Sequence, residues 1–179
     1  MRTDYIDKAE LGHLLAALTV PNRLALEVSL ATGLRIGDVL QLRTEDIRTA
    51  NDGRISLREQ KTGKRRRLRL PNELLARLLS IAGRLYVFEH RLDWRKNRTR
   101  QAVFKDLRRS ARLFRVSGTI SPHSTRKVWA VEEMRKHGDL KRIQKLLNHA
   151  DEAVTVLYAL ADELTKRKRG KSKNPPQGI

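Results

Sequence analysis

Cysteine is absent from the sequence. That excludes a disulfide framework, a thiol nucleophile and a cysteine-based zinc site, and it suits a cytoplasmic protein. Aromatic residues make up only 4% of the chain. Little material is left for stacking unpaired bases, which disfavours a general RNA-binding protein. No stretch approaches ~18 uninterrupted apolar residues, and Met1-Arg2-Thr3-Asp4 opens no signal-type apolar core, so no membrane-spanning role is expected. No glycine-rich nucleotide loop and no metal-ligand spacing occurs either, so neither a cofactor nor a metal is expected. Acidic side chains are scarce: 20 Asp and Glu stand against 39 Lys and Arg.

What is present follows from that imbalance. The net charge is +19 and the pI about 11.1, so a polyanion is the expected partner, nucleic acid first and an anionic membrane surface second. The charge is uneven. Residues 1–50 hold six basic and seven acidic side chains, leaving 33 basic and 13 acidic ones to residues 51–179. A cationic face built mainly by the later part of the chain is the simplest reading. At 179 residues one domain with a substantial core is expected. We expect it over residues 1–165, with a basic, disordered tail over 166–179.

Apolar spacing predicts a helix over 5–18, from Ile6, Leu11, Leu14, Leu15 and Leu18, and a second over 23–32 that ends at Gly33. A short helix over 36–42 follows, which sets Arg35 at a bend, where it reaches a ligand or is simply solvated or paired. Residues 46–70 change period. Ile55 and Leu57, then Leu68 and Leu70, alternate with polar neighbours between the turn signals Asn51-Asp52-Gly53 and Lys61-Thr62-Gly63-Lys64. A three-stranded antiparallel meander is expected. Its tip carries Lys61, Lys64, Arg65, Arg66 and Arg67, either as a charged edge that deters aggregation or as cations over a phosphate backbone.

Helical patterns return over 72–85 and around Val103, Leu107, Ala111 and Phe114. Residues 84–115 hold eleven basic and three acidic side chains, Arg95, Lys96, Arg98 and Arg100 among them. They suit contact along a DNA backbone, or a plain solvated surface. Ser121-Pro122 is a strong helix start, and it puts His123 in a first turn where an anion is favoured. Arg126 follows three residues on, with Lys127 beside it. Further helices are expected over 140–147, ending near His149, and over 151–164, with Tyr158 on the apolar side. Taken alone, Tyr158 reads as a core residue and His149 as a helix-end residue facing the dipole.

In order, these pieces resemble the tyrosine recombinase (phage integrase) family from about residue 5 to 164. Ala31-Thr32-Gly33-Leu34-Arg35-Ile36-Gly37-Asp38 resembles its first arginine motif. His123-Ser124-Thr125-Arg126 resembles its His-x-x-Arg box, and Leu146-Leu147-Asn148-His149 its Leu-Gly-His box. Tyr158 lies nine residues beyond His149. Asn148 stands where the family usually has Gly, and Lys127 where a second His commonly follows.

The resemblance implies an α+β, mainly helical catalytic domain with a small three-stranded antiparallel sheet, acting on double-stranded DNA without metal or cofactor. Tyr158 would be the nucleophile that forms a 3′-phosphotyrosyl link. Arg35 and Arg126 would hold the non-bridging oxygens, and Lys61, with Lys64 as rival, would protonate the leaving 5′-oxygen. His123 would serve as acid/base and His149 as a donor to the phosphate, while Asp38 would support the Arg35 turn. Lys64, Arg65, Arg66, Arg67, Arg95, Lys96, Arg98, Arg100 and Lys127 are the expected DNA contacts. A homo-tetramer on DNA and a monomer in free solution are implied. The alternatives are a non-catalytic DNA-binding module on the same fold and a type IB topoisomerase-like activity.

Overall fold

Helix α1, Lys8–Ala16, begins where Asp7 accepts a hydrogen bond from the Glu10 amide at 2.8 Å. In this computed structural model, residues 6–139 are described, together with 141 and 143. Leu11, Leu14 and Leu15 form the buried stripe of α1. Helix α2, Val20–Thr32, carries Pro21 in its first turn, where the missing N–H has no intrahelical partner to lose. It stops at Gly33, whose φ of 67° is left-handed and whose N–H donates to Ser29 O at 2.8 Å. The Trp129 indole lies so close that a Cβ on Gly33 would stand 2.3 Å from the ring.

Short helices α3 (Ile36–Leu40) and α4 (Thr44–Arg48) lead into an antiparallel hairpin, β1 (Arg54–Arg58) and β2 (Arg65–Arg69). Then come α5 (Asn72–Ile81), α6 (Arg100–Leu113) and α7 (Pro122–His137). One apolar cluster joins α1, α2, α3, α4 and α5 to α6 through residues such as Leu14, Leu26, Val39, Ile47, Leu78 and Leu107. A polar clamp adds to it. Asp106 of α6 accepts from the Thr19 amide and hydroxyl at 3.0 and 2.8 Å and from the Asn22 amide group at 2.7 Å. Burial pushes the Asp106 carboxyl up, but the bonds from Asn22, Arg109 and Thr19 outweigh it and hold its pKa at about 2.

The chain divides into two units, Met1–Trp129 and Ala130–Ile179. The described part of the second is the end of α7 and a few residues beyond. There Glu132 pairs with Arg135 at 2.6 Å, Glu133 faces Lys136 and His137, and Gly138 follows with φ 66°.

The sheet differs from expectation. Among the described residues it has two strands, not three. The stretch expected to begin the meander is wound into α4, where Glu45 and Asp46 favour a helix N-terminus and Ile47 is the one apolar side chain buried, beside Thr44. Helix α5 stops at Ile81 rather than 85, because Ala82 turns extended ahead of Gly83. Phe114, expected on the stripe of α6, lies past its end and is exposed. Most of the helix expected over 140–147, the one over 151–164 and the tail lie outside the described residues.

Candidate active site

The site begins at the turn after α2. Arg35 is the residue before α3, and its Nη1 stands 3.7 Å from Oε2 of Glu59, just past the end of β1. Glu59 is 3% exposed. Its other oxygen pairs with Arg66 Nη1 at 3.3 Å, and the Thr62 hydroxyl donates to Oε2 at 2.9 Å. Burial raises the Glu59 carboxyl, but the bonds from Thr62 and Arg66 and the charges of Arg66 and Arg35 outweigh it. Glu59 is therefore held below the usual carboxylate range. Arg66 also donates to Thr32 O at 2.7 Å, which satisfies a carbonyl at the end of α2. One buried carboxylate thus ties the Arg35 turn, the α2 terminus and the hairpin together.

The hairpin tip is fixed by a second tether. The Gln60 amide donates to Oδ1 of Asp38 at 2.8 Å, and Asp38 is itself buried on α3. Gly63, with φ 66°, donates to Glu59 O at 2.8 Å and closes the tip. Lys61 and Lys64 are both exposed around this turn, and the anchored amide immediately precedes Lys61.

Helix α7 supplies the other half. Its start is capped as expected: the His123 amide donates to the Ser121 hydroxyl at 3.2 Å, and the Ser124 amide to Ser121 O at 2.8 Å. Thr125 Oγ1 lies 3.0 Å from Ser29 Oγ, which donates to Leu34 O at 2.8 Å. One turn later Trp129 covers Gly33. Thr125 and Trp129 therefore grip the turn that presents Arg35, and Arg126, 3% exposed, lies between them in sequence. His123 is exposed on a cleft of about 420 Å³ whose wall includes Ile36, Arg100, Gln101, Phe104 and Ser121.

Arg35, Lys61, His123 and Arg126 thus sit on segments joined by hydrogen bonds, an ion pair and ring packing. His149 and Tyr158 lie outside the described residues, as does Asn148. Of the expected DNA contacts, Lys64, Arg65, Arg67, Arg95, Lys96 and Arg100 are exposed and Lys127 is half-buried. Arg95 and Lys96 both pair with Asp93, at 3.1 and 3.4 Å. Arg66 and Arg98 are turned inward; Arg98 donates to Asn22 Oδ1 at 2.6 Å. Glu59 is the residue that sequence reading missed. Its signal was parity, since it continues the inward alternation of Ile55 and Leu57. Among the described residues no cluster of His, Asp and Glu fit for a metal ion occurs, and no helix is long and apolar enough to cross a membrane.

A model of the phage integrase family matches residues 4–164. Among curated proteins, tyrosine recombinase XerD of Staphylococcus saprophyticus is 25% identical over 184 residues, taking in 90% of this chain and 60% of that protein. Among solved structures, the lambda integrase catalytic core aligns with a TM-score of 0.68 at 21% identity, over 83% of this chain and 92% of that one. A lambda integrase tetramer bound to a Holliday junction gives 0.68 at 22%, over 83% and 47%. At these identities the structural likeness establishes the fold. The chain spans between 49% and 60% of the length of the first curated relatives it matches.

Proposed function

The chain belongs to the phage integrase family, and from that premise we propose that it is the catalytic part of a DNA recombinase that cuts and rejoins strands through a phosphotyrosyl intermediate. What supports the reading is the grip of α7 on the Gly33 turn, which holds the Arg126 and Arg35 segments together.

In the proposed step the Tyr158 oxygen attacks phosphorus and passes its proton to His123, which acts as the base. The bond from phosphorus to the 5′-oxygen breaks, and that oxygen takes a proton from Lys61. Negative charge grows on the non-bridging oxygens as the phosphorus becomes five-coordinate. Arg35 and Arg126 stabilise it, their planar forks being held by Glu59 in one case and by burial in the other. His123 stands at a capped helix start, where phosphate is favoured, and serves as acid/base; His149 completes the donor set. The link conserves the bond energy, so the 5′-hydroxyl of another strand reseals it without ATP. Both lysines stand on anchored backbone, Lys61 beside the Asp38 tether and Lys64 bonded to Glu59 and Thr62; Lys61 is proposed as the acid, with Lys64 as its rival.

Double-stranded DNA is the proposed substrate, with Lys64, Arg100 and Lys127 on its backbone and the protein associated with the nucleoid. Assembly as a tetramer on DNA is proposed from the lambda integrase likeness.

The test is a nicked duplex from which the cleaved fragment diffuses away. A covalent adduct on a denaturing gel supports the reading. Salt-sensitive binding with no adduct on any nicked substrate supports the binding module instead. Relaxation of supercoiled plasmid without sequence preference supports the topoisomerase-like activity.

A further inference from the structure

The hairpin has a second face that the proposed chemistry does not use. Register pairs Arg54 with Arg69, Ser56 with Arg67 and Arg58 with Arg65. Alternation sends these six side chains to one side and Ile55, Leu57, Arg66 and Leu68 to the other. The inward side carries the Arg66–Glu59 pair and, through it, Arg35. The outward side holds five exposed arginines and one serine. Arg65 donates to Ser56 Oγ at 3.1 Å and Arg69 to Asp52 O at 2.9 Å, but among the described residues none of the five makes an ion pair.

Such a face is unfavourable on its own terms. Like charges directly opposite one another destabilise a strand pair. An edge protected against aggregation needs only isolated charges, usually lysines, and not a ladder of one sign across both strands. Arginine is also the side chain whose fork binds phosphate bidentately. Alternate residues on a strand are ~6.8 Å apart, so the three rungs span roughly 14 Å. One strand of duplex DNA presents a phosphate about every 3.4 Å of axis. Laid along the axis, the ladder therefore spans about four phosphate intervals of one strand.

We propose that this arginine ladder binds the backbone of duplex DNA outside the stretch that is cut. The inference rests on the recombinase reading only for the choice of DNA as the polyanion. The ladder's direction separates it from the catalytic contacts, because the arginines that reach outward cannot also line the Glu59 side.

The test substitutes arginines that have no part in the proposed chemistry, in the triple variant Arg54→Gln, Arg58→Gln, Arg69→Gln. Binding is measured against salt on two duplexes: the shortest that binds, and the same duplex extended at both ends. Each lost phosphate contact lowers the slope of log affinity against log salt by about 0.9, so the expected drop on the extended duplex is about 2.7. On the short duplex the slope stays the same, and covalent adduct on a nicked short substrate is unchanged. A companion variant with lysine at the three positions retains the wild-type slope on both. The denaturation midpoint of the glutamine variant is not lowered, because repulsion has been removed.

Equal slopes for variant and wild type on the extended duplex would overturn the proposal. So would an equal loss on both duplexes, which would assign the face to the cut site itself. An absence of adduct with the slope change intact would sink the catalytic reading and leave the ladder standing.

Discussion

Removing the charge of Glu59 is the perturbation with the most to reveal. In Glu59→Gln the side chain keeps its shape and its bond from Thr62 but no longer neutralises Arg35 and Arg66. Both guanidinium groups are largely shielded, with side chains 13% and 15% exposed. Truncation to Ala would break a buried pair outright, a change that costs about 3–5 kcal/mol. The Gln variant loses mainly a charge-assisted hydrogen bond, worth ~1.5–3 kcal/mol. Against a total stability of roughly 5–15 kcal/mol, either is measurable by urea denaturation with an unchanged slope m.

The pH dependence gives a second reading of the same residue. Glu59 is held below its ordinary value of 4.5. Its contribution is therefore fully present above 4.5 and is lost as pH falls through the folded-state value. The stability gap between wild type and Glu59→Gln should close as pH falls below 4.5. Catalysis offers a third. If Glu59 aims Arg35, single-turnover cleavage by the Gln variant falls by up to ~10²-fold while DNA affinity changes little. A Glu59→Gln protein within about 0.5 kcal/mol of wild type at neutral pH, cleaving at the wild-type rate, would refute the reasoning.

Other consequences are as direct. Asp106 has a pKa of about 2 against an ordinary 3.8, so its bonds contribute about 2 kcal/mol. That contribution is complete above 3.8 and lost toward 2; in Asp106→Asn the acid limb of a stability-against-pH curve loses this component. Gly33→Ala places a Cβ in a left-handed residue against the Trp129 ring. It should destabilise by about 2–4 kcal/mol, strain and overpacking together. A second change, Trp129→Ala, should recover part of that loss, and a double-mutant cycle measures the coupling. Arg126→Lys should leave binding near wild type while slowing cleavage by ~10²–10³, because a point charge replaces a planar fork.

Helices with a strong apolar stripe or a clear cap were legible in the sequence. The leucines of α1, Gly33 at the end of α2 and Ser121-Pro122 at α7 all agree with the structure, while α2 opens at Val20, ahead of the expected residue 23. The elements that misled are short. Five residues with Ile47 as the one apolar group buried fit a strand as well as a helix, and only the packing of α4 decides. Arg66 and Arg98 read as surface charges because composition treats every arginine alike. What turns them inward is a partner distant in sequence: Thr32 for one and Asn22 for the other. Glu59 was half legible. Its parity with Ile55 and Leu57 pointed inward, but the two arginines that make its burial tolerable are known only from the fold.

The most direct measurement is the identity of the residue that carries the DNA. A nicked duplex is incubated with the protein, the covalent fraction is digested with protease, and the peptide bearing the nucleotide is sequenced by mass spectrometry. A single modified residue is expected, Tyr158, attached to a 3′-phosphate, with a free 5′-hydroxyl on the released fragment and no adduct from Tyr158→Phe. An adduct on any other residue, or one that persists in the Phe variant, would contradict that assignment.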